Sequence, residues 1–136
     1  MIHPVSDIQA LSFMSLFPEM KKDEEWADLV RWVGSGKSIP VLNLGVFDGA
    51  SMVGLFPCET YPDKFLIHAC FLKEYRGRFA RTAAKDAFSW IWNNTKYDKI
   101  QAYIEPDHVK KYAIECGMIE KNGLFEVSKC QNLSKV

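Results

Sequence analysis

The sequence lacks an excess of charge of either sign, since 17 Lys and Arg residues balance 17 Asp and Glu residues. Nucleic-acid binders and peripheral membrane proteins usually carry a basic surplus, so the balance argues against both classes. No apolar run is long enough to span a bilayer. The N-terminus has no basic segment followed by an apolar one, which is the pattern of a secretory signal. We therefore expect a soluble protein of the cytoplasm with no membrane partner.

Paired cysteines are also missing. The sequence has 4 cysteines, and no two of them stand in a Cys-x-x-Cys arrangement. This spacing argues against a zinc site or a redox dithiol, so we expect no metal cofactor. In a reducing compartment the thiols stay free, and we interpret all of them as small buried hydrophobic residues. They are Cys58, Cys70, Cys116 and Cys130.

Bulky hydrophobic material is abundant. Hydrophobic residues make up 48% of the 136 residues and aromatic residues 13%, which is a globular composition. A chain of this length forms one ordinary domain and buries a core without disulfides or metals. We predict a single domain over residues 1–130 and a polar tail over residues 131–136.

Hydrophobic periodicity predicts the elements of the first half. Ser6 is expected to cap a first helix, and residues 23–33 have the spacing of a second helix. Residues 39–47 and 52–56 read as a hairpin, preceded in the sequence by a short strand at residues 2–5. Residues 65–72 are almost continuously apolar, which is typical of one central strand buried on both faces.

The second half alternates between helices and strands. Apolar residues at helical spacing from Ala80 to Ile91 predict the longest helix, and residues 100–104 alternate as a strand. Asp107 is expected to cap a short helix that ends at Gly117. A final hairpin follows. The strand–helix–strand unit favours one parallel crossover within an otherwise antiparallel sheet, so we predict an α/β fold with a mixed sheet and helices on both faces.

The segment before the longest helix concentrates positive charge. Arg76, Arg78 and Arg81 crowd the helix entrance beside Gly77, and cations are unfavourable near a helix N-terminus. Uncapped N–H groups, a glycine and converging guanidinium groups form an anion site of the kind that binds phosphate. Alternatively, the arginines point into water or pair with acidic residues of the segment, Glu74 and Asp86. The residues alone support the two interpretations equally.

The order of elements resembles the GNAT superfamily of acyl-CoA N-acyltransferases over most of the chain. In that family an Arg/Gln-x-x-Gly-x-Gly/Ala loop binds the pyrophosphate of coenzyme A, and Tyr75-Arg-Gly-Arg78 is similar to its start. Phe79 and Arg81 depart from the motif, because they stand where the family has small residues. The resemblance implies acetyl-CoA as the cofactor, held by a loop and by the backbone of the central strand. The implied contacts are Arg76, Gly77, Arg78, Phe79, Ala80 and Arg81 in the loop and Cys70, Phe71 and Leu72 in the strand.

A second matching stretch is similar to the family's strand and helix that end in Tyr-x-x-x-Gly-Phe. The resemblance implies that Tyr112 donates a proton to the departing CoA thiolate, although Tyr112 lies one residue further from the glycine than usual. An ordinary core tyrosine is the other interpretation. For the base that deprotonates the amine we consider His68, Glu105 and Asp63. His68 is alternatively a satisfied core histidine, and Glu105 a solvated strand end.

A narrower resemblance is to compact GNAT-like proteins of tailed phages. It rests on His68-Ala69, Leu72, the segment from Glu74 to Gly77, and Pro106-Asp-His108. The leading hypothesis is an acetyl-CoA-dependent N-acetyltransferase that acts directly on an amine-bearing acceptor. The alternative is a catalytically degenerate GNAT fold with a structural or virion-assembly role. The partners that these hypotheses imply are acyl-CoA, an amine, a second copy of the chain or virion proteins, in the host cytoplasm or the virion.

Overall fold

The computed structural model describes residues 1–17, 41–104 and 106–129. The predicted helix at residues 23–33, the candidate base Glu105, Cys130 and the polar tail lie outside these ranges. The described chain forms the predicted mixed sheet with helices on both faces, which confirms the expected fold class.

Within the described ranges the sheet has 8 strands in the order β1-β2-β3-β4-β6-β8-β7, with β5 paired to β3 beside this path. All pairs are antiparallel except β4 with β6, which form the predicted parallel pair through Leu66 and Gln101. The strands are β1 Ile2–Pro4, β2 Val41–Asp48, β3 Ser51–Thr60, β4 Phe65–Ile67, β5 Cys70–Phe71, β6 Lys99–Tyr103, β7 Ile119–Lys121 and β8 Leu124–Ser128.

The helices of the described chain are α1 Asp7–Met14, α2 Arg78–Asn94 and α3 Asp107–Glu115. Ser6 caps α1 as predicted: its hydroxyl accepts the N–H of Gln9, and the Gln9 side chain accepts the N–H of Ser6. The prediction for α3 was wrong in one detail. Pro106 takes the position before the helix, and Asp107 is its first residue and makes no cap hydrogen bond. Proline fits that position because its fixed φ suits the extended cap.

Two clusters of side chains pack on opposite faces of the sheet. On one face α1 contributes Ala10, Phe13 and Met14 to a small cluster with Leu55 and Cys70. We call this side the α1 face. The larger cluster on the other side, the α2 face, combines sheet residues with α2 and α3. Its helix residues are Ala83, Ala87, Phe88, Ile91, Trp92 and Ala113.

The predicted central strand is interrupted. Residues 65–72 form two strands, β4 and β5, with His68 and Ala69 between them. Along its whole length this segment stays paired with β3, but only β4 pairs with β6. A bulge in β3 lies next to β5, since Val46 pairs with Gly54 while Phe47 pairs with Met52. Bulges bend and twist a strand, which accounts for the divergence of β5 from β6. The expectation of one continuous strand was therefore wrong.

We call the opening between β5 and the C-terminal end of β6 the split. The prediction failed because hydrophobicity is the same on both sides of the break: Ile67, Cys70 and Phe71 are all buried. The departure of β5 from its neighbour is a matter of strand pairing, which a run of apolar residues does not encode.

Candidate functional site

Hydrogen bonds to β3 determine which backbone groups of β5 face the split. The N–H groups of His68 and Leu72 both donate to carbonyls of β3, at 2.8 and 3.0 Å. Backbone groups of an antiparallel strand point alternately to its two sides, so Cys70 also faces β3. The backbone groups of Ala69 and Phe71 consequently turn toward the split. Of the predicted strand contacts from Cys70 to Leu72, only Phe71 presents its backbone on the open side.

The chain between β5 and α2 is shaped by Gly77. A short 3₁₀ turn, Lys73–Tyr75, is followed by Arg76 in extended conformation and by Gly77 with φ of +101°. This φ is accessible to glycine and strained for other residues. Helix α2 then begins at Arg78 with no side-chain cap among the described residues and no acidic residue in its first turn. The first N–H groups of α2 are therefore available to an anion. An uncapped helix N-terminus carries partial positive charge, which attracts such an anion.

Phe79 packs beside the loop and does not fill it. Its ring meets the ring of Tyr75 edge to face, with the ring centroids 5.0 Å apart. The Tyr75 hydroxyl donates to Asp48 at 2.8 Å, which ties the loop to the β2–β3 hairpin. This hydrogen bond raises the pKa of Tyr75 above its ordinary value. The bulk that distinguishes Phe79 from the family motif is thus accommodated by an aromatic partner against the core.

The arginines at the entrance of α2 do not act as one group. Arg76 donates from Nε to the carbonyl of Phe71 at 3.1 Å, on the split side of β5. Arg78 is exposed at the first position of α2. Arg81 turns to α3, where its Nη1 lies 3.2 Å from Oε2 of Glu115. Arg81 is therefore paired, but its partner is Glu115 on α3 rather than the expected Glu74 or Asp86.

Tyr112 lies at the same helix entrance. The guanidinium carbon of Arg81 is 5.3 Å from the centre of the Tyr112 ring. A Cβ atom added at Gly77 would come to 3.7 Å from the Tyr112 hydroxyl. The structure thus brings Tyr112, Gly77 and Arg81 together, and the hydroxyl faces the loop. Tyr112 is half-buried. This degree of burial lies between that of a core tyrosine and that of a fully accessible proton donor.

A hydrogen-bonded cluster on the α1 face was not predicted. Nε2 of His68 lies 2.7 Å from Oε2 of Glu59, and the Tyr61 hydroxyl donates to Oε1 of Glu59 at 2.7 Å. The hydrogen bond from His68 lowers the pKa of Glu59, and the hydrogen bond to Glu59 raises the pKa of Tyr61 to about 12. Alternation along β3 and β4 places these residues on one face, but only the pairing register shows that they meet.

The predicted site residues therefore divide between the two faces of the sheet. The loop residues from Arg76 to Arg81 and Tyr112 gather at the entrance of α2. His68 is on the α1 face, because it alternates with Leu66 and Cys70, and Cys70 packs in the α1 cluster. Asp63 is exposed at the opposite end of β4 from the split, so it is separated from both groups. Glu105 follows β6 outside the described ranges.

The described cysteines are buried or half-buried thiols, as expected from the sequence. Cys58 and Cys70 are buried and Cys116 is half-buried, and these three are free thiols. Burial raises the pKa of Cys58 well above its ordinary value, which keeps it a neutral thiol. In the ranges that the structure describes, no group of three or more His, Cys, Asp and Glu side chains could hold a metal ion.

No helix within the described ranges is long and apolar enough to cross a membrane.

Comparison with known proteins identifies sequence relatives. The profile of a family described as "Protein of unknown function (DUF2824)" matches residues 38–132. Protein p31 of Acyrthosiphon pisum secondary endosymbiont phage 1 is 31% identical over 64 residues, which are 46% of this chain and 41% of that protein. The match thus spans about two fifths of the length of this phage relative.

Solved structures resemble nearly the full length of the chain. The spermidine N-acetyltransferase SpeG of Vibrio cholerae, in complex with CoA and spermine, superposes with a TM-score of 0.71 at 14% identity. That match covers 98% of this chain and 97% of SpeG. The GNAT domain of S. lividans PAT gives a TM-score of 0.66 at 13% identity, with 93% of this chain and 89% of that domain covered. These likenesses confirm the GNAT fold that the sequence resembles.

Proposed function

Since this chain belongs to the family described as "Protein of unknown function (DUF2824)" and has the GNAT fold, we propose that it binds an acyl-CoA and transfers the acyl group to an amine. The observation that carries the proposal is the split, where β5 keeps its pairing with β3 and leaves β6. The split opens beside the uncapped entrance of α2, so strand-edge backbone groups and an anion site occur together.

The residues at the entrance of α2 fit a pyrophosphate. Gly77 has a positive φ that lets the chain turn sharply into the helix, and the Tyr112 hydroxyl lies close to it. In our proposal the N–H groups of Arg78, Phe79 and Ala80 bind the phosphate oxygens. Arg78 adds positive charge from an exposed position. The bound thioester supplies an activated acyl group.

The two faces of the sheet suit the two substrates. The loop and Tyr112 lie on the α2 face, whereas His68 lies on the α1 face, and the split connects the faces. We assign acyl-CoA to the α2 side and the amine to the α1 side, so that direct transfer takes place through the opening. The backbone of Ala69 and Phe71 lines this passage and pairs with the extended arm of the cofactor, as an open strand edge does.

Tyr112 and His68 have different parts in this proposal. The hydroxyl of Tyr112 faces Gly77, so we assign Tyr112 to holding the pyrophosphate of the cofactor at the loop, while the thiolate lies at the far end of the extended arm. One extra residue between Tyr112 and the following glycine rotates its side chain by about 100° on a helix, so its direction differs from the one that the family motif implies. His68 is assigned as the base that deprotonates the amine.

Acetyl-CoA binding tests the proposal. A ligand that binds only the native state stabilises it, and at about 100 times its Kd the gain is about 2.7 kcal/mol. We expect acetyl-CoA to raise the thermal midpoint by roughly 5 °C or more. Acetyl-pantetheine is the matched control, because it keeps the thioester and lacks the pyrophosphate, and it should have a much smaller effect. No shift with acetyl-CoA, together with no heat of binding in calorimetry, would refute the proposal.

One observation favours a second candidate. Arg81 is already paired with Glu115 and stacked on Tyr112, so the loop has less free charge than its sequence implies. The second candidate is a GNAT fold that no longer transfers acyl groups and serves phage assembly, in the host cytoplasm or the virion. It predicts no response to acetyl-CoA and a normal assembly role for variants with reversed charge at Arg76 or Arg78.

A further inference from the structure

The cluster on the α1 face joins groups from β3 and from the segment that follows β4. The Glu59 carboxylate accepts hydrogen bonds on both oxygens, from Tyr61 at 2.7 Å and at His68 Nε2, also at 2.7 Å. The side chains of His68 and Glu59 are 32% and 21% exposed, so the pair is partly screened from water and still reachable. Such an arrangement fixes the orientation of an imidazole, because one ring nitrogen is held by the carboxylate.

Further contacts hold Tyr61 in its position within the cluster. Tyr97 donates a hydrogen bond from its hydroxyl to the carbonyl of Tyr61. The ammonium of Lys64 lies 4.9 Å above the Tyr61 ring. Tyr61 itself is held by a backbone hydrogen bond from its N–H to the carbonyl of Lys64 at 3.0 Å. These contacts fix the Tyr61 hydroxyl against Glu59, so the carboxylate has little freedom to leave His68.

Tyr61, Glu59 and Lys64 are the charged and titratable groups of the β3–β4 hairpin itself near His68. The other such groups on the α1 face come from α1, β6, β7 and β8. Asp7 is bonded to Asn43, Glu126 is paired with Lys99 and Lys121, and Tyr103 of β6 is exposed. Glu59 is therefore the carboxylate that acts directly on the imidazole.

We propose that Glu59 is a positioning residue for His68 in acyl transfer, with Tyr61 holding the second carboxylate oxygen. The inference rests on the proposed function and adds the device that orients its base. In this assignment Nε2–H of His68 donates to Glu59, which leaves the lone pair on Nδ1 to accept a proton from the acceptor. The negative charge of Glu59 then stabilises the imidazolium that forms.

The proton balance of the transfer is closed. The acceptor enters as an ammonium ion and gives one proton to Nδ1 of His68, which leaves a neutral amine. The nitrogen lone pair attacks the thioester carbonyl, a C–N bond forms, and the C–S bond breaks. The second proton of the nitrogen passes to the leaving thiolate. His68 finally releases its proton to water, so the products are an amide, a free thiol and one proton.

The test compares Glu59→Gln with Glu120→Gln, which makes the same change on the exposed strand β7. Acetyl-CoA binding is measured by calorimetry. Turnover is measured as thiol release with spermidine and a panel of primary amines from about pH 6 to 10. We expect Glu59→Gln to lower kcat by roughly tenfold to a hundredfold while the Kd of acetyl-CoA changes by less than about twofold. Glu120→Gln should leave both unchanged.

The tautomer of His68 separates positioning from a merely structural effect. The amide introduced by Glu59→Gln can both donate and accept a hydrogen bond, so it no longer fixes the proton of the neutral imidazole on Nε2. Tyr61→Phe, which removes one hydroxyl, should lower kcat by a smaller factor and serves as the milder variant if Glu59→Gln does not fold. Side-chain ¹⁵N NMR of the complete chain should show the proton of neutral His68 on Nε2.

The possible failures are distinguishable. If acetyl-CoA binds and Glu59→Gln retains the full kcat and the Nε2–H tautomer of His68, the positioning role is refuted while the proposed function stands. If acetyl-CoA binds but no amine in the panel is acetylated, the assignment of His68 as the base and of Glu59 as its positioning residue is refuted. If acetyl-CoA does not bind at all, the proposed function fails and this inference fails with it.

Discussion

The two faces of the sheet differ in how their polar groups are satisfied. On the α1 face the chain satisfies its own groups: Ser6 and Gln9 close the N-terminus of α1, and Glu59 pairs with His68. On the α2 face the longer helix starts after Gly77 with no side-chain cap from the described chain. Both helix ends need acceptors for their first N–H groups, and only one of them receives these from its own side chains.

The presence of a cap on α1 and its absence on α2, within the described chain, give the two helix ends different roles, one in stability and one in binding. A capping box makes a helix end self-sufficient, so a ligand gains nothing there. An uncapped end next to exposed Arg78 is less stable by itself, and an anion that binds there supplies what the side chains do not. The α1 face is not complete in this respect, since Oδ1 of buried Asn43 has no hydrogen-bond partner within the described ranges. The contrast nevertheless gives each end a distinct expected response to substitution.

Gly77→Ala should have the largest effect. Its backbone conformation, with φ of +101°, is strained for alanine by about 1–3 kcal/mol. The loop must relax to relieve this strain, and the N–H groups at the start of α2 then lose their common direction. We expect the Kd of acetyl-CoA to rise at least about tenfold, which corresponds to about 1.4 kcal/mol. Calorimetry measures the Kd, and urea unfolding measures the loss of stability.

Gly117→Ala is the matched control for this experiment. Gly117 also has a positive φ, of +98°, and a methyl group there meets no described atom within 4 Å apart from its own chain neighbours. The substitution should destabilise the chain to a similar degree, because it strains the end of α3. It should not change acetyl-CoA affinity. Equal losses of affinity in the two variants would show that binding depends only on overall stability.

Ser6→Ala examines the self-sufficient helix end. The substitution removes the acceptor for the Gln9 N–H and should cost about 1 kcal/mol of unfolding free energy, seen as a lower midpoint in urea. The Kd of acetyl-CoA should stay within about twofold of its original value. Ser12→Ala, at an exposed position inside the same helix, should leave stability nearly unchanged or raise it slightly, since alanine favours helix interiors. A weaker affinity in Ser6→Ala would contradict the separation of the two faces.

Arg78→Glu sharpens the comparison because stability and affinity should change in opposite directions. A carboxylate in the first turn of α2 is favourable to the helix dipole, by about 0.3–1 kcal/mol. The same carboxylate repels phosphate, so we expect the Kd of acetyl-CoA to rise about threefold to tenfold, and less so at high salt. Lys85→Glu reverses a charge at an exposed position further along α2 and should change neither quantity appreciably. Parallel changes in stability and affinity would argue against an anion site.

Local signals of the sequence predicted much of this fold. Ser6 with Gln9 three residues later is a capping pattern within one turn of chain. Asn122 and Gly123 both adopt positive φ in the tight turn of the last hairpin, as their residue types indicate. Gly117 closes α3 in the same way. Each of these features is decided by a few neighbouring residues, so the sequence carries the full signal.

Features decided by distant pairing were not predicted. The split depends on β5 losing its contact with β6, although the hydrophobic pattern continues across His68 and Ala69. The bond between Glu59 and His68 depends on the register of β3 with β4. The approach of Tyr112 to Gly77 depends on how α3 packs beside α2. For the candidate site the sequence therefore indicated the residues of the loop but not how its two sides are arranged.

The smallest expected effect is a pH dependence of stability on the α1 face. The pKa of Glu59 is lowered in the folded chain, chiefly by the hydrogen bond with His68, so this carboxylate stabilises the fold above its unfolded pKa of about 4.3. That contribution is lost as the pH falls through the lowered value. The pKa of Tyr61 is raised to about 12, so its contribution is complete below about pH 10 and is lost as the pH rises through 12.

Glu59→Gln removes both dependences, and this can be measured. The difference in unfolding free energy between the original chain and Glu59→Gln should be constant from about pH 5 to 9 and shrink on either side. It should be small, because the contact between Glu59 and His68 is partly exposed and water screens it. Absorbance titration should show the pKa of Tyr61 falling from about 12 toward 10 in the variant. An unchanged Tyr61 titration would mean that the two side chains do not share a hydrogen bond in solution, and the orientation of His68 would then need another cause.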